Sequence, residues 1–477
     1  MPPAEGGGME INMKIYNTLT KTKEDFKPIS EEQVGMYTCG PTVYHYAHIG
    51  NLRSYIMEDV LEKELRYEGY NVKRVMNITD VGHLSSDADT GEDKMLKGAK
   101  REKKTILEIA DYYTKCFKND CDKLNIKWPE IVVPATSMIQ EYIDFIKVLL
   151  DKDYAYLSNG NVYFDTSKLK DYYQLTNHTE EELYIGVRDS VEEDTNKRNK
   201  TDFVLWFTKS KFEDQELKWD SPWGLGYPGW HIECSCISLK HLGNKLDIHC
   251  GGVDNIFPHH TNEIAQTESY LGDKWCNYWF HVEHLNDNTG KMSKSSGEFL
   301  TVSNLEKKGY NPLAYRLFCL QSHYKNQLVF TYESLDIAQN TYNKLISKIN
   351  SLKQDKAMID KEKYDKYNNQ FKEALSDNLN TSNAITTLYD VLKADMNNST
   401  KLSLIESFDK VLSLDLIKQE EELDKDLLKY INECIEKRKE AKLNKNYDLA
   451  DSIRKELEEK GVVLKDTREG TTFEVIK

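Results

Sequence analysis

The chain has 477 residues, of which 39% are hydrophobic and 30% are charged, and its formal net charge is −15. This length allows several hydrophobic cores, and the negative charge excludes indiscriminate binding to nucleic acids, so any RNA contact must use a local basic surface. The sequence has no apolar run of about 18 residues and no signal peptide, and its nine cysteines are scattered and odd in number. We therefore expect a cytoplasmic protein without a membrane-spanning helix or a disulfide framework.

The first elements in chain order form a strand, a helix and a strand. Residues 1–12 contain three consecutive glycines and look like a flexible leader, so we leave them outside the fold. The first predicted strand spans 34–39 and is followed by a turn at 40–42, and a second strand spans 72–78. Between them a helix is predicted from apolar residues at helical spacing, Leu52, Ile56 and Val60. Such βαβ units bind ligands where strand ends meet helix N-termini.

Two short segments indicate ATP chemistry. The predicted helix begins at His48-Ile49-Gly50-Asn51, where the histidine and the asparagine can donate hydrogen bonds to phosphate oxygens. Further on, Lys291 and Lys294 lie in a loop rich in glycine and serine, and their ammonium groups can neutralise a departing pyrophosphate. A P-loop is excluded, because Leu285 stands where its first glycine would be and Met292 follows Lys291 in place of Ser or Thr.

Together, these two segments resemble the signature motifs of class I aminoacyl-tRNA synthetases. The resemblance implies a Rossmann-like α/β catalytic domain that activates an amino acid as its adenylate, with ATP and Mg²⁺, and passes it to tRNA. It also implies catalytic and ATP-binding roles for His48, Asn51, Lys291 and Lys294. The chain departs from the family at Asn51, where histidine is more frequent; asparagine keeps a hydrogen-bond donor but loses any cationic form.

Histidine and cysteine crowd into one part of the sequence. Seven of the twelve histidines and four of the nine cysteines fall between His231 and His284, which makes a metal site there the first hypothesis. The candidate ligands are Cys234, Cys236, His249, Cys250, His259, His260 and Glu263. The sequence lacks the CxxC pairs of a closed structural zinc site and the HExxH and HxxEH patterns of metalloproteases.

Three longer segments indicate, by resemblance, which residues would be the metal ligands. Residues 36–44, 229–235 and 257–263 resemble the zinc-bearing motifs of cysteinyl-tRNA synthetases, and the similarity extends from Met13 to about Phe473. Carrying the ligands of that family over residue by residue gives one zinc ion per chain, held by Cys39, Cys234, His259 and Glu263. Zinc binds thiolate far better than hydroxyl, so such an ion would distinguish cysteine from serine without an editing domain.

The same resemblance implies further contacts to the small substrates. It assigns Gly40, Thr42 and Trp230 to the bound cysteine. It assigns Gly252 and Asp254 to ATP, where the carboxylate accepts hydrogen bonds from the ribose. Residues 77–80, at the end of the second strand, are predicted as a further wall. No residue is predicted as a general base, because the substrate carboxylate is itself the nucleophile of adenylation.

The predicted organisation has four parts after the leader. A class I catalytic nucleotide-binding domain spans 13–300, with an insertion at about 124–200, and a connecting module that includes the end of the lysine loop spans 301–332. A helical bundle is predicted over 333–425, and an anticodon-binding domain over 426–477. The bundle is predicted from apolar residues at helical spacing in a charged background, for example Leu335, Ala338, Tyr342, Leu345 and Ile349.

The C-terminal stretch combines basic and aromatic residues. Arg438, Lys442 and Lys445 fall on one helix face, which by itself is usually a solvated face. Here it precedes three residues that resemble the anticodon-binding end of the same family, Tyr447, Asp451 and Phe473. The lysines would then hold phosphates, the rings would stack on unpaired bases and the aspartate would read a base edge.

The sequence thus predicts ATP-dependent ligation of L-cysteine to tRNA(Cys) through a cysteinyl-adenylate, by a monomer that does not bind membranes. Two alternatives stay open. A cysteine ligase acting on an aminosugar in mycothiol synthesis resembles the catalytic half but lacks the anticodon-binding end. A non-catalytic RNA-binding paralogue would have no need to keep both loop lysines and all four zinc ligands.

Overall fold

The structure is a computed structural model that describes residues 13–81, 94–176, 195–209, 217–287, 290–291, 300–353, 355, 357–417, 425–444, 446–460, 462–467 and 470–475. It divides the chain after Ile417 into two compact units. None of the helices in the described ranges combines the length and the apolar character that crossing a membrane requires.

The strands and helices are named here in chain order. The strands are β1 Lys14–Asn17, β2 Thr22–Asp25, β3 Val34–Thr38, β4 Val72–Ile78, β5 Ile131–Pro134, β6 Ala155–Ser158, β7 Asn161–Phe164, β8 Phe203–Phe207, β9 Tyr227–Pro228, β10 Leu246–Gly252, β11 Cys276–Val282, β12 Leu285–Asp287, β13 Gly290–Lys291, β14 Leu328–Val329, β15 Val462–Thr467 and β16 Gly470–Val475. The helices are α1 Ile49–Tyr67, α2 Lys94–Glu102, α3 Ile106–Lys123, α4 Ile139–Asp151, α5 His231–Leu242, α6 Thr261–Leu271, α7 Val302–Lys307, α8 Pro312–Leu320, α9 Tyr332–Asn350, α10 Lys361–Ser376, α11 Thr381–Lys393, α12 Asn398–Leu412, α13 Lys425–Leu443 and α14 Tyr447–Glu459.

A five-stranded parallel sheet, in the order β11-β10-β3-β4-β5, forms the centre of the first unit. Strands β3, β4 and β10 are almost entirely buried, as expected for parallel strands covered on both faces. Helix α1 connects β3 to β4, so the predicted βαβ unit is confirmed. Its predicted apolar face, Leu52, Ile56 and Val60, is fully buried, and the chain leaves the helix through Gly69 at φ 98°.

A separate four-stranded antiparallel sheet, in the order β6-β7-β8-β9, follows in the chain. Aromatic rings stack across it, with Phe164 and Phe203 centroids 5.0 Å apart. The insertion predicted at about 124–200 does not coincide with this sheet. It begins before β5, which pairs with β4 in the parallel sheet, and it ends before β8 and β9. The sequence did not reveal β5, because a four-residue strand gives too short a pattern to recognise.

Helices α9 to α12 form the helical part of the first unit, as predicted. The apolar face of α9 is buried at all five predicted positions. Helix α10 packs against α11 and α12, and Phe371 of α10 stacks on Phe408 of α12 with ring centroids 4.0 Å apart. Apolar side chains of this part join the core of the parallel sheet in one continuous cluster.

The second unit is small and has its own core. In it α13 and α14 pack together, and β15 pairs with β16 as an antiparallel hairpin. The core side chains of this unit are Ile431, Cys434, Ile453, Leu457, Val462 and Leu464.

Candidate active site

A cleft of about 640 Å³ opens at the carboxyl ends of the parallel strands. Its wall includes Gly40 after β3, Gly252 at the end of β10 and Glu283 after β11. In an open α/β sheet this edge is where ligands bind. The cleft is lined by eight residues that the sequence singled out: Cys39, Gly40, Thr42, His48, Asn51, Trp230, Gly252 and Asp254.

Four side chains that resemblance assigns to zinc lie together at this edge, and we call Cys39, Cys234, His259 and Glu263 the two-thiol group. Their ligand atoms all lie within 4.8 Å of one another. The Sγ atoms of Cys39 and Cys234 are 3.8 Å apart. His259 Nε2 is 3.6 Å from Cys234 Sγ and 2.9 Å from Glu263 Oε1. Two thiols, an imidazole and a carboxylate at this spacing are a donor set that suits zinc.

A second group shares two of these residues, and we call Cys39, His249, His260 and Glu263 the two-histidine group. Its ligand atoms also lie within 4.8 Å of one another. Cys39 Sγ is 3.2 Å from His260 Nε2, and His249 Nε2 donates a hydrogen bond of 2.8 Å to Glu263 Oε2. His249 and His260 were among the candidates from the sequence, so both groups are built from predicted residues.

The charges of this cluster depend on one another. Burial opposes the ionisation of Glu263, but His249 and His259 outweigh it and lower the pKa of the carboxyl to about 2. Burial likewise disfavours the charged form of His259, yet Glu263 and Cys234 raise its pKa to about 10. For Cys234, burial is outweighed by hydrogen bonds from Cys39 and His259, which lower the pKa of the thiol to about 6. Burial raises the pKa of Cys39, so Cys234 is the thiol that ionises first.

Trp230 connects the cleft wall to the two-thiol group. Its ring lies flat on that of His259, with centroids 4.1 Å apart and planes within 1° of parallel. It directly precedes α5, whose first turn carries Cys234. The indole therefore restricts the orientation of one candidate ligand while facing the cleft.

The entrance of α1 is organised by His48. Its Nδ1 accepts a hydrogen bond of 3.1 Å from the backbone NH of Gly50 and so caps the helix. In the neutral ring the proton is then on Nε2, the atom that can donate to a phosphate oxygen. Asn51 is exposed at the same helix end, at the cleft.

Gly40 and Asn77 hold the turn after β3 in place. A Cβ atom on Gly40 would lie 1.6 Å from the carbonyl oxygen of Asn77, so only glycine fits there. The NH of Gly40 donates to Asn77 Oδ1 at 2.7 Å, and the same oxygen lies 3.7 Å from Cys234 Sγ. Asn77, within the wall predicted at 77–80, thus fixes Cys39 beside Cys234.

The segment after β10 carries the predicted ATP contacts. A Cβ atom on Gly252 would lie 2.8 Å from Asp254 Oδ1, so glycine leaves room for this carboxylate. Asp254 Oδ1 is 3.6 Å from His284 Nδ1, and both residues line the cleft. The carboxylate is about half exposed, which suits a group that accepts hydrogen bonds from a ligand.

Sequence analysis missed Arg53. This fully buried residue of α1 donates to the carbonyl oxygens of Glu283, His284 and Asn326 at 2.7 Å and to that of His323 at 3.3 Å. Glu283 and His284 line the cleft and lead into β12 and β13. The guanidinium therefore ties α1 to the base of the hairpin that carries Lys291. The available signal was a cation placed directly beside the apolar face of a helix.

The lysine loop is described only at its start. Lys291 lies in β13, where its backbone pairs with Asn286 of β12. The side chain of Lys291 and the whole of Lys294 lie outside the described residues. Their predicted contacts with ATP stay predictions.

In the second unit, Lys442, Tyr447 and Asp451 are exposed, and Phe473 packs against the small core. Arg438 is only 3% exposed, so it does not lie on a solvated helix face together with Lys442. The reason is spacing. Arg438 falls within the buried stripe of α13 at intervals of three and four residues, Ile431, Cys434, Arg438 and Ala441. Lys445 lies outside the described residues.

Comparison with known proteins assigns the chain to a class of enzyme. The family model for the catalytic domain of class I (C) tRNA synthetases matches residues 25–340, so the protein is a class I tRNA synthetase by family. The structure of Mycobacterium tuberculosis methionyl-tRNA synthetase in complex with methionyl-adenylate superposes with a TM-score of 0.53 and 14% identity, over 80% of this chain and 91% of that one. That likeness shows the fold alone.

The curated relatives are more specific. The cysteine–tRNA ligase of Treponema denticola is 46% identical to this chain, over 97% of the chain and 99% of the relative. The cysteine–tRNA ligase of Borrelia hermsii is 45% identical over 96% and 98%, and that of Clostridioides difficile is 41% identical over 97% and 100%. The chain therefore belongs to the cysteine–tRNA ligase family, and the resemblance predicted from the sequence is confirmed.

Proposed function

We propose that the protein activates L-cysteine with ATP and transfers it to tRNA(Cys). In the first step the cysteine carboxylate attacks the α-phosphorus of ATP, pyrophosphate leaves and cysteinyl-adenylate forms. In the second step a hydroxyl of the terminal ribose of tRNA attacks the adenylate carbonyl, and AMP leaves. The observation that carries the proposal is that one cleft edge joins the two-thiol group to the helix entrance at His48 and Asn51.

The two-thiol group is the proposed zinc site. Its donors fit the metal in type and spacing, and the depressed pKa of Cys234 favours a thiolate there. A bound zinc ion would supply a soft Lewis acid that prefers the substrate thiolate to the hydroxyl of serine. Shape alone would separate these two amino acids by only ~1–3 kcal/mol. Asn77 and Trp230 hold Cys39 and His259 in position for this task.

Adenylation then depends on binding and charge stabilisation. In the proposed arrangement His48 and Asn51 donate hydrogen bonds to the phosphates of ATP, which enters with Mg²⁺. Gly252 leaves space for Asp254, whose carboxylate accepts hydrogen bonds from the ribose hydroxyls. Lys291 and Lys294 neutralise the pyrophosphate as its bond to the α-phosphorus breaks.

Cysteine-dependent exchange of pyrophosphate into ATP tests this proposal directly. We expect exchange with cysteine, loss of exchange after zinc chelation and recovery when zinc is returned, because the metal would bind the substrate sulfur. With serine the rate should be lower by about 10³-fold or more, beyond what a shape-only pocket provides. Exchange that survives full removal of the metal would contradict the zinc role. No exchange by the metallated protein would contradict the catalytic proposal and favour the RNA-binding paralogue.

The second unit is proposed to bind the anticodon through Lys442, Tyr447, Asp451 and Phe473. Tyr447 is 62% exposed at the first turn of α14, and a ring so exposed is available to stack on an unpaired base. This unit also supports tRNA as the acceptor over an aminosugar, since the relatives align along it as well.

Replacing Tyr447 by alanine should raise the KM for tRNA(Cys) in the charging reaction by about fivefold or more, because stacking on one base is worth ~1–3 kcal/mol. The rate of pyrophosphate exchange should not change, since that reaction needs no tRNA. Tyr447→Phe should remain close to the unmodified protein. Leu449→Ala is the matched control, because it truncates another exposed apolar side chain of the same helix. Equal effects of the alanine variants at 447 and 449 would refute a stacking role.

A further inference from the structure

Basic residues are concentrated on α2 and the turn that follows it. Residues 94–104 contain six basic residues and one acidic residue, in a chain whose formal net charge is −15. On α2 the basic positions share one side of the helix at 3.6-residue spacing, Lys94, Lys97, Lys100 and Arg101. The other side is buried, with Met95, Leu96, Gly98 and Ala99. This is the amphipathic pattern of a helix that packs on the protein and presents positive charge to solvent.

The buried side of α2 packs against the wall of the cleft. A Cβ atom on Gly98 would lie 2.9 Å from the carbonyl oxygen of Tyr44, so glycine permits this close approach. Arg101 donates to the same carbonyl at 2.9 Å and to the hydroxyl of Tyr113 at 3.2 Å. Tyr44 and Lys94 both line the cleft. The basic side of α2 therefore begins at the cleft and continues outward along exposed Lys97 and Lys100.

Aromatic rings stand beside these lysines at the same opening. Tyr46 lines the cleft, and its hydroxyl is 2.9 Å from that of Tyr112, which is 40% exposed. Buried Tyr113 supports Tyr46 edge-on, with centroids 5.1 Å apart. Lys104 places its ammonium 4.8 Å from the centre of the Tyr112 ring. We call the exposed residues Lys97, Lys100, Lys104 and Tyr112, together with half-buried Tyr46, the α2 surface.

We infer that the α2 surface binds the unpaired 3′ end of the tRNA as this end enters the cleft. The inference rests on the proposed function, in which a terminal ribose must reach the adenylate. A chain with a net charge of −15 repels a polyanion in general, so its contacts with RNA require local positive charge. The lysines neutralise phosphates, and the exposed ring of Tyr112 stacks on a base whatever its identity. Cations and aromatic rings that stand together at the opening of a nucleotide-sized cleft are suited to binding a single RNA strand.

Charge removal on the α2 surface tests this inference in the full-length protein. The variant Lys97→Ala/Lys100→Ala/Lys104→Ala should raise the KM for tRNA by roughly tenfold and lower the slope of log Kd against log salt concentration by about 2, or about 0.7 per phosphate contact on a single strand. Pyrophosphate exchange without tRNA should stay within about twofold of the unmodified protein. The control Lys115→Ala/Lys118→Ala/Lys147→Ala removes three other exposed lysines, on α3 and α4. It should leave the KM unchanged.

Comparing the affinities for two RNAs distinguishes contacts with the 3′ end from contacts with the rest of the tRNA. The α2 variant should bind intact tRNA(Cys) more weakly but should bind tRNA lacking its unpaired 3′ nucleotides as the unmodified protein does. Tyr112→Ala should raise the KM for tRNA about fivefold or more, while Tyr112→Phe should not. Equal weakening for both RNAs, or no weakening for either, would overturn the inference. If the unmodified protein does not charge tRNA at all, the proposed function fails and the inference fails with it.

Discussion

Replacing Cys234 by serine should remove zinc and cysteine activation together and lower cysteine-dependent pyrophosphate exchange by about 10³-fold or more. Cys234 is the thiol whose pKa is lowered to about 6, so it supplies the thiolate of the two-thiol group. Serine at this position offers a hydroxyl that stays protonated and binds zinc poorly. Even the outer partners of metal ligands typically cost about 10- to 100-fold when removed, so loss of a ligand should cost more.

The matched control is Cys236→Ser. Cys236 is two residues further along α5 and is equally buried, but it belongs to neither candidate ligand group. Zinc content by atomic absorption, exchange rate and thermal unfolding should be measured for both variants. We expect Cys236→Ser to keep its metal and activity, and Cys234→Ser to lose both while remaining folded. If Cys234→Ser kept its zinc and His260→Ala lost it, the metal would belong to the two-histidine group.

The sequence predicts the elements around the site well because they obey local rules. The strand at Val72–Ile78 has apolar residues at four of its seven positions, and α1 shows helical spacing after its N-cap residue His48, so pattern alone locates both elements. Cys39 precedes the other cysteines and histidines of the site by 195 residues or more. Their meeting at one cleft edge follows from the parallel sheet, whose strand order no local pattern reveals. Resemblance to a family identified the candidate zinc ligands, which hydrophobic periodicity could not identify.

Charged residues in buried positions are where pattern reasoning failed. Arg53 and Arg438 are long cations that a sequence pattern assigns to solvent, yet both are buried. Arg53 is stabilised there by four backbone carbonyl groups, from segments more than two hundred residues away. Such partners are a property of the tertiary fold. The two-histidine group likewise appears only in three dimensions, since Cys39 lies far from the other three residues in sequence.

Replacing Lys294 by alanine should slow adenylate formation by about 10²-fold or more while leaving the affinity for cysteine unchanged, as expected when one transition-state charge partner is lost. This expectation is consistent with the structure, in which the segment that leads into the loop is anchored. Arg53 fixes Glu283 and His284 at the cleft, and β12 and β13 lead from there to Lys291. Lys294 follows this anchored base by only three residues. Negative charge on the pyrophosphate grows as its bond breaks, so a cation that meets it there acts mainly on the transition state.

Single-turnover formation of the adenylate by rapid quench gives the rate, and equilibrium titration with cysteine gives the affinity. Lys307→Ala is the matched control, because Lys307 is an exposed lysine at the end of α7, the helix that follows the loop, and its removal should change neither quantity. A Lys294→Ala protein that binds ATP more weakly but forms the adenylate at an unchanged rate with saturating ATP would show that Lys294 contributes uniform binding. In that case the loop would hold the nucleotide before reaction and would not act selectively on the departing pyrophosphate.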